Sequence, residues 1–180
     1  MKITRIKIKY LEGPRLKAVF SITFNNSLTV NDCYIIIDEE KDMKFIAFPF
    51  TKNKDGEMLS LAHPTIPTFN DKVKEKVFEL YNANEEEFIN DGVVDVCRVT
   101  GCKSEKIAEG LFEVKLLFNE KFAVNKLVCK VQNNELTFRH PYSREIDGER
   151  YNLVNFESQI LIQDITMWLA KSCISKKNSD

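Results

Sequence analysis

The decapeptide FPFTKNKDGE, residues 48–57, returns at residues 140–149 as HPYSREIDGE. In both copies a proline precedes an aromatic residue, a hydroxyl, a base, two free positions and Asp-Gly-Glu. Pro49 and Pro141 lie 92 positions apart, as do Asp55-Gly56-Glu57 and Asp147-Gly148-Glu149, and Leu61 and Leu153. Upstream the offset is 94, which places Phe24-Asn25 on Phe118-Asn119 and Val30-Asn31 on Val124-Asn125. Phe50/Tyr142, Thr51/Ser143 and Lys52/Arg144 are close substitutions in the same frame. A fixed period of this length marks a duplicated unit, so the fold of one copy must be built twice. The boundaries expected are a first repeat over 1–84, an acidic linker over 85–92, a divergent second repeat over 93–175 and a tail over 176–180.

Each copy carries the same order of patterns. Ile6, Ile8 and Tyr10 alternate, then Ala18, Phe20, Ile22 and Phe24. Period two with one apolar face predicts half-buried antiparallel strands. Asn25-Asn26 is a turn signal between SITF and SLTV, and CYIII and MKFIAF read as two further strands around DEEKD. In the second copy Phe112, Val114, Leu116 and Phe118 alternate, with a turn at Asn119-Glu120 and a strand over LVCKV. A helix follows each set of strands. The first places Val73, Val77 and Leu80 or Tyr81 on one stripe, with Asn70 or Thr68 as N-cap; the second places Leu161, Ile165, Trp168 and Leu169 likewise. Strands followed by one helix predict an α+β fold, here two tandem repeats of antiparallel sheet and C-terminal helix.

Bulk charge excludes one simple reading. With 26 Lys+Arg against 27 Asp+Glu, no global field draws the chain onto a polyanion or a membrane, so any such site is a local patch. MKITRIKIKY has alternating charges and no apolar core, which is not the pattern of a signal peptide, and no run reaches membrane-spanning length. Cys33, Cys97, Cys102, Cys129 and Cys173 are odd in number and lack C-x-x-C spacing, so reduced, mostly buried thiols are expected. A cytoplasmic protein follows from these features.

The segment AFPFTKNKDGEMLSLAHP resembles the signature of the SpoVG family, the stage V sporulation protein G or septation proteins. The family carries Met-Pro-Ser-Lys-Arg-Thr-Pro-Asp-Gly-Glu, a spacer, then Ala-His-Pro before a single helix. Pro49, Lys52, Asp55, Gly56, Glu57, Ala62, His63 and Pro64 keep that pattern here. The opening MKITRIKIKYLEGPRLKAVFSITFNN is similar to the family's first two strands. The likeness covers residues 1–81 directly and reaches 93–172 through the internal repeat. Family members are single-copy chains that form dimers and bind DNA and RNA as regulators of gene expression. The resemblance therefore implies an intramolecular pseudo-dimer, with DNA or RNA as partner and no membrane association. The adjacent Lys-Arg of the family is Thr51-Lys52 in one copy and Ser143-Arg144 in the other, and Ala62-His63-Pro64 is answered by Val154-Asn155-Phe156.

Candidate residues follow from both arguments. Pro49, Asp55 and Gly56, with Pro141, Asp147 and Gly148, are turn formers. Lys52, Lys54 and Arg144 on those loops, with Lys171, Lys176 and Lys177 after the second helix, are the candidate phosphate contacts. Phe50 and Tyr142 beside the bases are either a stacking platform or core, with core the favoured reading. Lys2, Arg5, Lys7 and Lys9 form a basic stripe along one strand. His63 is expected to anchor the start of the first helix, and the two histidines are not repeat-equivalents. No nucleophile–base set, phosphate loop or repeated metal-ligand pattern is seen, so neither catalysis nor a cofactor or metal is expected. Two functions remain: a non-enzymatic nucleic-acid-binding regulator, or a protein-interaction or structural module on the same fold, to which the acidic Glu85, Glu86 and Glu87 and the unequal copies point.

Overall fold

The computed structural model describes residues 1–133, 135–140, 143–146 and 149–174. The first half holds β1 (Ile3–Tyr10), β2 (Leu16–Phe24), β3 (Leu28–Asp38), β4 (Met43–Ala47), β5 (Phe50–Lys52), β6 (Met58–Ser60), β7 (Ala62–Pro64), α1 (Pro67–Asn82) and β8 (Glu87–Ile89). The second holds β9 (Val99–Ala108), β10 (Leu111–Phe118), β11 (Phe122–Gln132), β12 (Glu135–Arg139), β13 (Ser143–Ile146), β14 (Glu149–Asn152), β15 (Val154–Phe156) and α2 (Gln159–Leu169), which ends in a π-turn over Ala170–Ile174. The chain is thus α+β, dominated by antiparallel sheet with two helices.

Local chemistry explains the shape of each half. The β2–β3 hairpin turns through Asn25 and Asn26 at φ 49° and 48°, and the β10–β11 hairpin through Asn119 and Glu120 at 48° and 58°. Asparagine, which leads both of these three-residue turns, tolerates the left-handed region that their first two positions demand. The Asn25 backbone N–H bonds the Lys2 carbonyl at 3.0 Å and the Asn119 N–H bonds that of Arg98 at 2.9 Å. Farther on, β3 bulges at Asp32 (φ 53°) and β11 at Lys126 (φ 62°), where the ladder to the preceding strand slips. A bulge bends the strand. Each long strand can therefore offer one edge to two different partners.

Those partners come from opposite halves. Past the bulge, β3 pairs with β4 and β11 with β12. Before it, β3 pairs with β15 of the second half, and β11 pairs with β7 of the first. The exchange is reciprocal down to single bonds. The Asn31 N–H bonds the Leu153 carbonyl and the Asn125 N–H that of Leu61, both at 2.8 Å. Asn31 Nδ2 donates to the Asn152 carbonyl at 2.9 Å, and Asn125 Nδ2 to that of Ser60 at 2.8 Å. Thr65 and Glu157 close the exchanged strands with N–H bonds to Lys121 and Ser27, again both at 2.8 Å. These are the residues that the 92 and 94 offsets place in register.

One continuous core results. It runs from Ile6, Phe20 and Phe24 through Val73 and Val77 to Phe112, Phe118, Phe122, Leu161 and Ile165. Phe24 meets Phe122 at 5.0 Å between ring centroids, and Phe118 meets Phe156 at 5.9 Å. Full burial of side chains of this size is worth about 1.5–3 kcal/mol each. Ile6 and Ile8 are buried while Arg5, Lys7 and Lys9 are exposed, as period two requires.

Two sequence expectations are corrected. The first helix begins at Pro67 with Ile66 as cap, so neither Thr68 nor Asn70 caps it. Proline suits the first turn because its missing N–H would have no helical partner. In the second helix Trp168 is only partly buried, and the fourth inward position is Asp164, whose Oδ2 accepts the Val99 N–H at 2.7 Å. Ser158 caps that helix by accepting the Leu161 N–H. Within the acidic 85–92 stretch, Glu87–Ile89 forms a strand on the edge of β1.

Candidate nucleic-acid interface

The first decapeptide is a short hairpin, β5 against β6, and Asn53 organises its turn. The Asn53 N–H bonds the Glu57 carbonyl, and its Oδ1 accepts the Asp55 and Glu57 N–H groups at 3.0 and 2.8 Å. Its Nδ2 donates to Glu57 Oε2 at 2.8 Å. Gly56 stands at φ +82°, a conformation that side chains rarely adopt. Pro49 leads in, and its carbonyl accepts the Leu61 N–H at 2.9 Å. With the turn satisfied internally, Lys52 and Lys54 stand exposed, without an ion pair among the described residues. Phe50 is 36% exposed and so faces solvent instead of joining the core.

Across from this hairpin lies the sheet of the other half. A groove of about 790 Å³ separates them, lined by Lys52, Asn53, Lys54, Lys126, Arg139 and Glu113 among others. Lys126 Nζ holds both Glu113 oxygens at 2.8 Å. Arg139, exposed at the end of β12, has no ion pair among the described residues. Neither Lys126 nor Arg139 was a sequence candidate. Comparing the copies position by position would have exposed them, since their counterparts are Asp32 and Ala47.

The other candidates separate. Arg144 falls on β13 opposite Tyr151 in the second hairpin. Pro141, Tyr142, Asp147, Gly148, Lys176 and Lys177 lie outside the described residues. Lys171 is exposed in the π-turn after α2. The stripe on β1 is partly offset by one carboxylate: Glu87 Oε1 lies 2.6 Å from Arg5 Nη2 and 3.7 Å from Lys7 Nζ, while Lys2 and Lys9 have no ion pair among the described residues. Hydrogen bonding from Arg5 holds the Glu87 carboxyl below its usual pKa. Nearby, Arg15 pairs with Asp38 and Glu40, and Lys17 with Glu39.

His63 does not bond the helix. Its Nδ1 shares a hydrogen bond with Ser60 Oγ at 3.0 Å, and burial, then Lys115, lowers its pKa. None of the five cysteines forms a disulfide, and Cys102 alone is not fully buried. Burial pushes Cys97 up to about 12 and raises Cys33 well above the usual range. Among the described residues no His/Cys/Asp/Glu cluster could hold a metal, and no helix is long and apolar enough to cross a membrane.

The SpoVG family model matches residues 1–83, the stretch from β1 through α1 that includes the hairpin. A septation protein SpoVG of Caldicellulosiruptor saccharolyticus is 39% identical over 85 residues, 46% of this chain and 93% of that protein. One from Caldanaerobacter subterraneus is 38% identical over 88 residues, covering 48% and 93%. One from Bdellovibrio bacteriovorus is 35% identical over 81 residues, covering 45% and 73%. The chain belongs to the SpoVG family. A SpoVG relative therefore corresponds in length to about half of this chain, and the second sheet and helix are additional to it. The SpoVG hairpin thus faces a sheet supplied by the chain's own second half.

Proposed function

We propose that the protein is a non-enzymatic nucleic-acid-binding regulator whose two repeats stand in for the two subunits of a dimer. The observation that carries this reading is the hairpin. Asn53 satisfies its backbone, and Lys52 and Lys54 project beside Arg139 with no acidic partner among the described residues. Bases held on a rigid turn and left unpaired suit phosphate oxygens, which position a protein on nucleic acid without reading its sequence. The reciprocal exchange of β7 and β15 supports the pseudo-dimer. Two separate copies could make the same bonds about a twofold axis.

Fluorescence anisotropy of labelled DNA and RNA oligonucleotides across a salt series tests the reading. Micromolar or tighter binding that weakens steeply with salt is the expected result. No binding at low salt would overturn it. A second reading, a protein-interaction module, is favoured by the Glu87 carboxylate that Arg5 and Lys7 share and by exposed Met43 and Phe45 on β4. A partner captured through β4 in the absence of nucleic-acid binding would establish that alternative.

A further inference from the structure

The two halves present unlike grooves at equivalent places. The groove beneath the first hairpin shares Leu59, Glu113 and Lys126 with a neighbouring one of about 470 Å³ that adds Lys103, Lys115 and Glu105. Lys103 and Lys115 sit directly opposite each other on β9 and β10. Like charges in that arrangement destabilise a sheet, and neither lysine has an ion pair among the described residues. The counterpart groove on the first sheet is lined by Lys7, Lys9, Ser21, Asp32 and Tyr151. Tyr151 Oη donates to Asp32 Oδ2 at 3.3 Å, and Lys7 lies near Glu87. In the repeat frame Lys54 is answered by Ile146, Lys115 by Ser21, Lys126 by Asp32 and Arg139 by Ala47. Against this, Lys52 is answered by Arg144, and strand register sets Lys103 on Lys7, Glu105 on Lys9 and Glu113 on Val19.

We infer that the chain holds nucleic acid on one side only, a single stretch per chain, in the groove between the first hairpin and the second sheet. Lys52, Lys54, Arg139, Lys103 and Lys115 meet its phosphates, while Lys126 stays with Glu113. The inference rests on the nucleic-acid reading above and narrows it from two equivalent faces to one. It also assigns binding to Arg139, Lys103 and Lys115. A chain that binds this way needs no inverted repeat in its target, unlike a symmetric dimer with two equal half-sites.

The experiment is anisotropy of a fluorescein-labelled 20-nucleotide strand and its duplex with the full chain, at several salt concentrations, with saturation read at high probe concentration. Wild type is expected to saturate at one chain per bound stretch. Arg139→Ala and Lys54→Ala, both at exposed positions, should each weaken binding about 3- to 5-fold. Each should also lower the salt slope by about 0.7–0.9. Arg144→Ala and Lys7→Ala should stay within about 2-fold of wild type, on the same scale for exposed charges. Circular dichroism of each variant checks that the fold is kept. If Arg144→Ala weakens binding as much as Lys54→Ala, or if two stretches bind per chain, the one-sided site is wrong and the nucleic-acid reading survives. If wild type does not bind even at low salt, both fail.

Discussion

Asn31 and Asn125 clamp the two exchanged strands, and removing their side chains tests the exchange directly. Each keeps its backbone bond when changed to alanine, so only the bond from Nδ2 to the Asn152 or Ser60 carbonyl is lost. Such a bond contributes about 0.5–1.5 kcal/mol net. Asn31 Nδ2 sits in the partly buried case and Asn125 Nδ2 in the exposed one, so Asn31→Ala should cost more. The sites lie on different sheets and share no partner in these bonds, so their effects should add to about 2 kcal/mol. At about 2–4 °C per kcal/mol for a chain of this size, the double variant should melt about 4–8 °C below wild type. Asn→Asp at either position places a carboxylate oxygen against the carbonyl and should cost more than alanine. Urea titration followed by circular dichroism gives the free energies. A double alanine variant within about 0.5 kcal/mol of wild type would refute the clamp and leave the exchange resting on strand pairing alone.

A protease site introduced at Gly92, beside the 98%-exposed Val93, should leave the halves together after cutting, because β7 and β15 cross between them; size-exclusion chromatography in native buffer checks this, and separate elution contradicts it. Burial lowers the pKa of both His63 and His140 from 6.5, so the unfolded chain binds more protons. Their contribution is therefore complete above pH 6.5 and is lost as pH falls through 6.5 towards the folded-state values, which urea midpoints between pH 7.5 and 5 would register. His140→Phe, which copies Phe48 at the equivalent position, should flatten that slope. Thiol labelling at pH 8 should modify Cys102 alone until the protein is unfolded; early labelling of Cys97 or Cys33 would contradict their burial. Lys115→Ser, which copies Ser21, should raise stability slightly, by about 0.2–0.5 kcal/mol, by relieving the contact with Lys103 while weakening polyanion binding; a loss of stability would refute the like-charge argument.

The repeat was legible because its identities fall where the backbone makes demands that few residues meet. Asn25 and Asn119 turn hairpins, Gly56 takes a positive φ, and Asn31 and Asn125 bond strands from the far half. Alternation likewise marked the buried faces of β1, β2 and β10. The exchange itself was hidden. A three-residue strand such as β7 reads the same whether it joins its own sheet or one sixty positions away, because its bonds are backbone bonds. The site divided along a similar line. Lys52 and Lys54 showed because they sit inside the repeated decapeptide. Arg139, Lys115 and Lys126 did not, because a search for identities discards the positions where the copies differ.

Those differing positions say what fusion permits. In a symmetric dimer every substitution appears twice, so a base added to one face is added to the other. With both copies in one chain, the two faces can be set separately. Here the clamps and the hairpin turns keep the same residues or roles, since either half needs them to hold the other. The solvent face carries the change: Lys126 stands where Asp32 does, both at the same bulge and both with positive φ. The backbone therefore tolerates either sign of charge there, and the choice is not dictated by folding. That is the pattern expected when stability is shared between two repeats and binding is delegated to one.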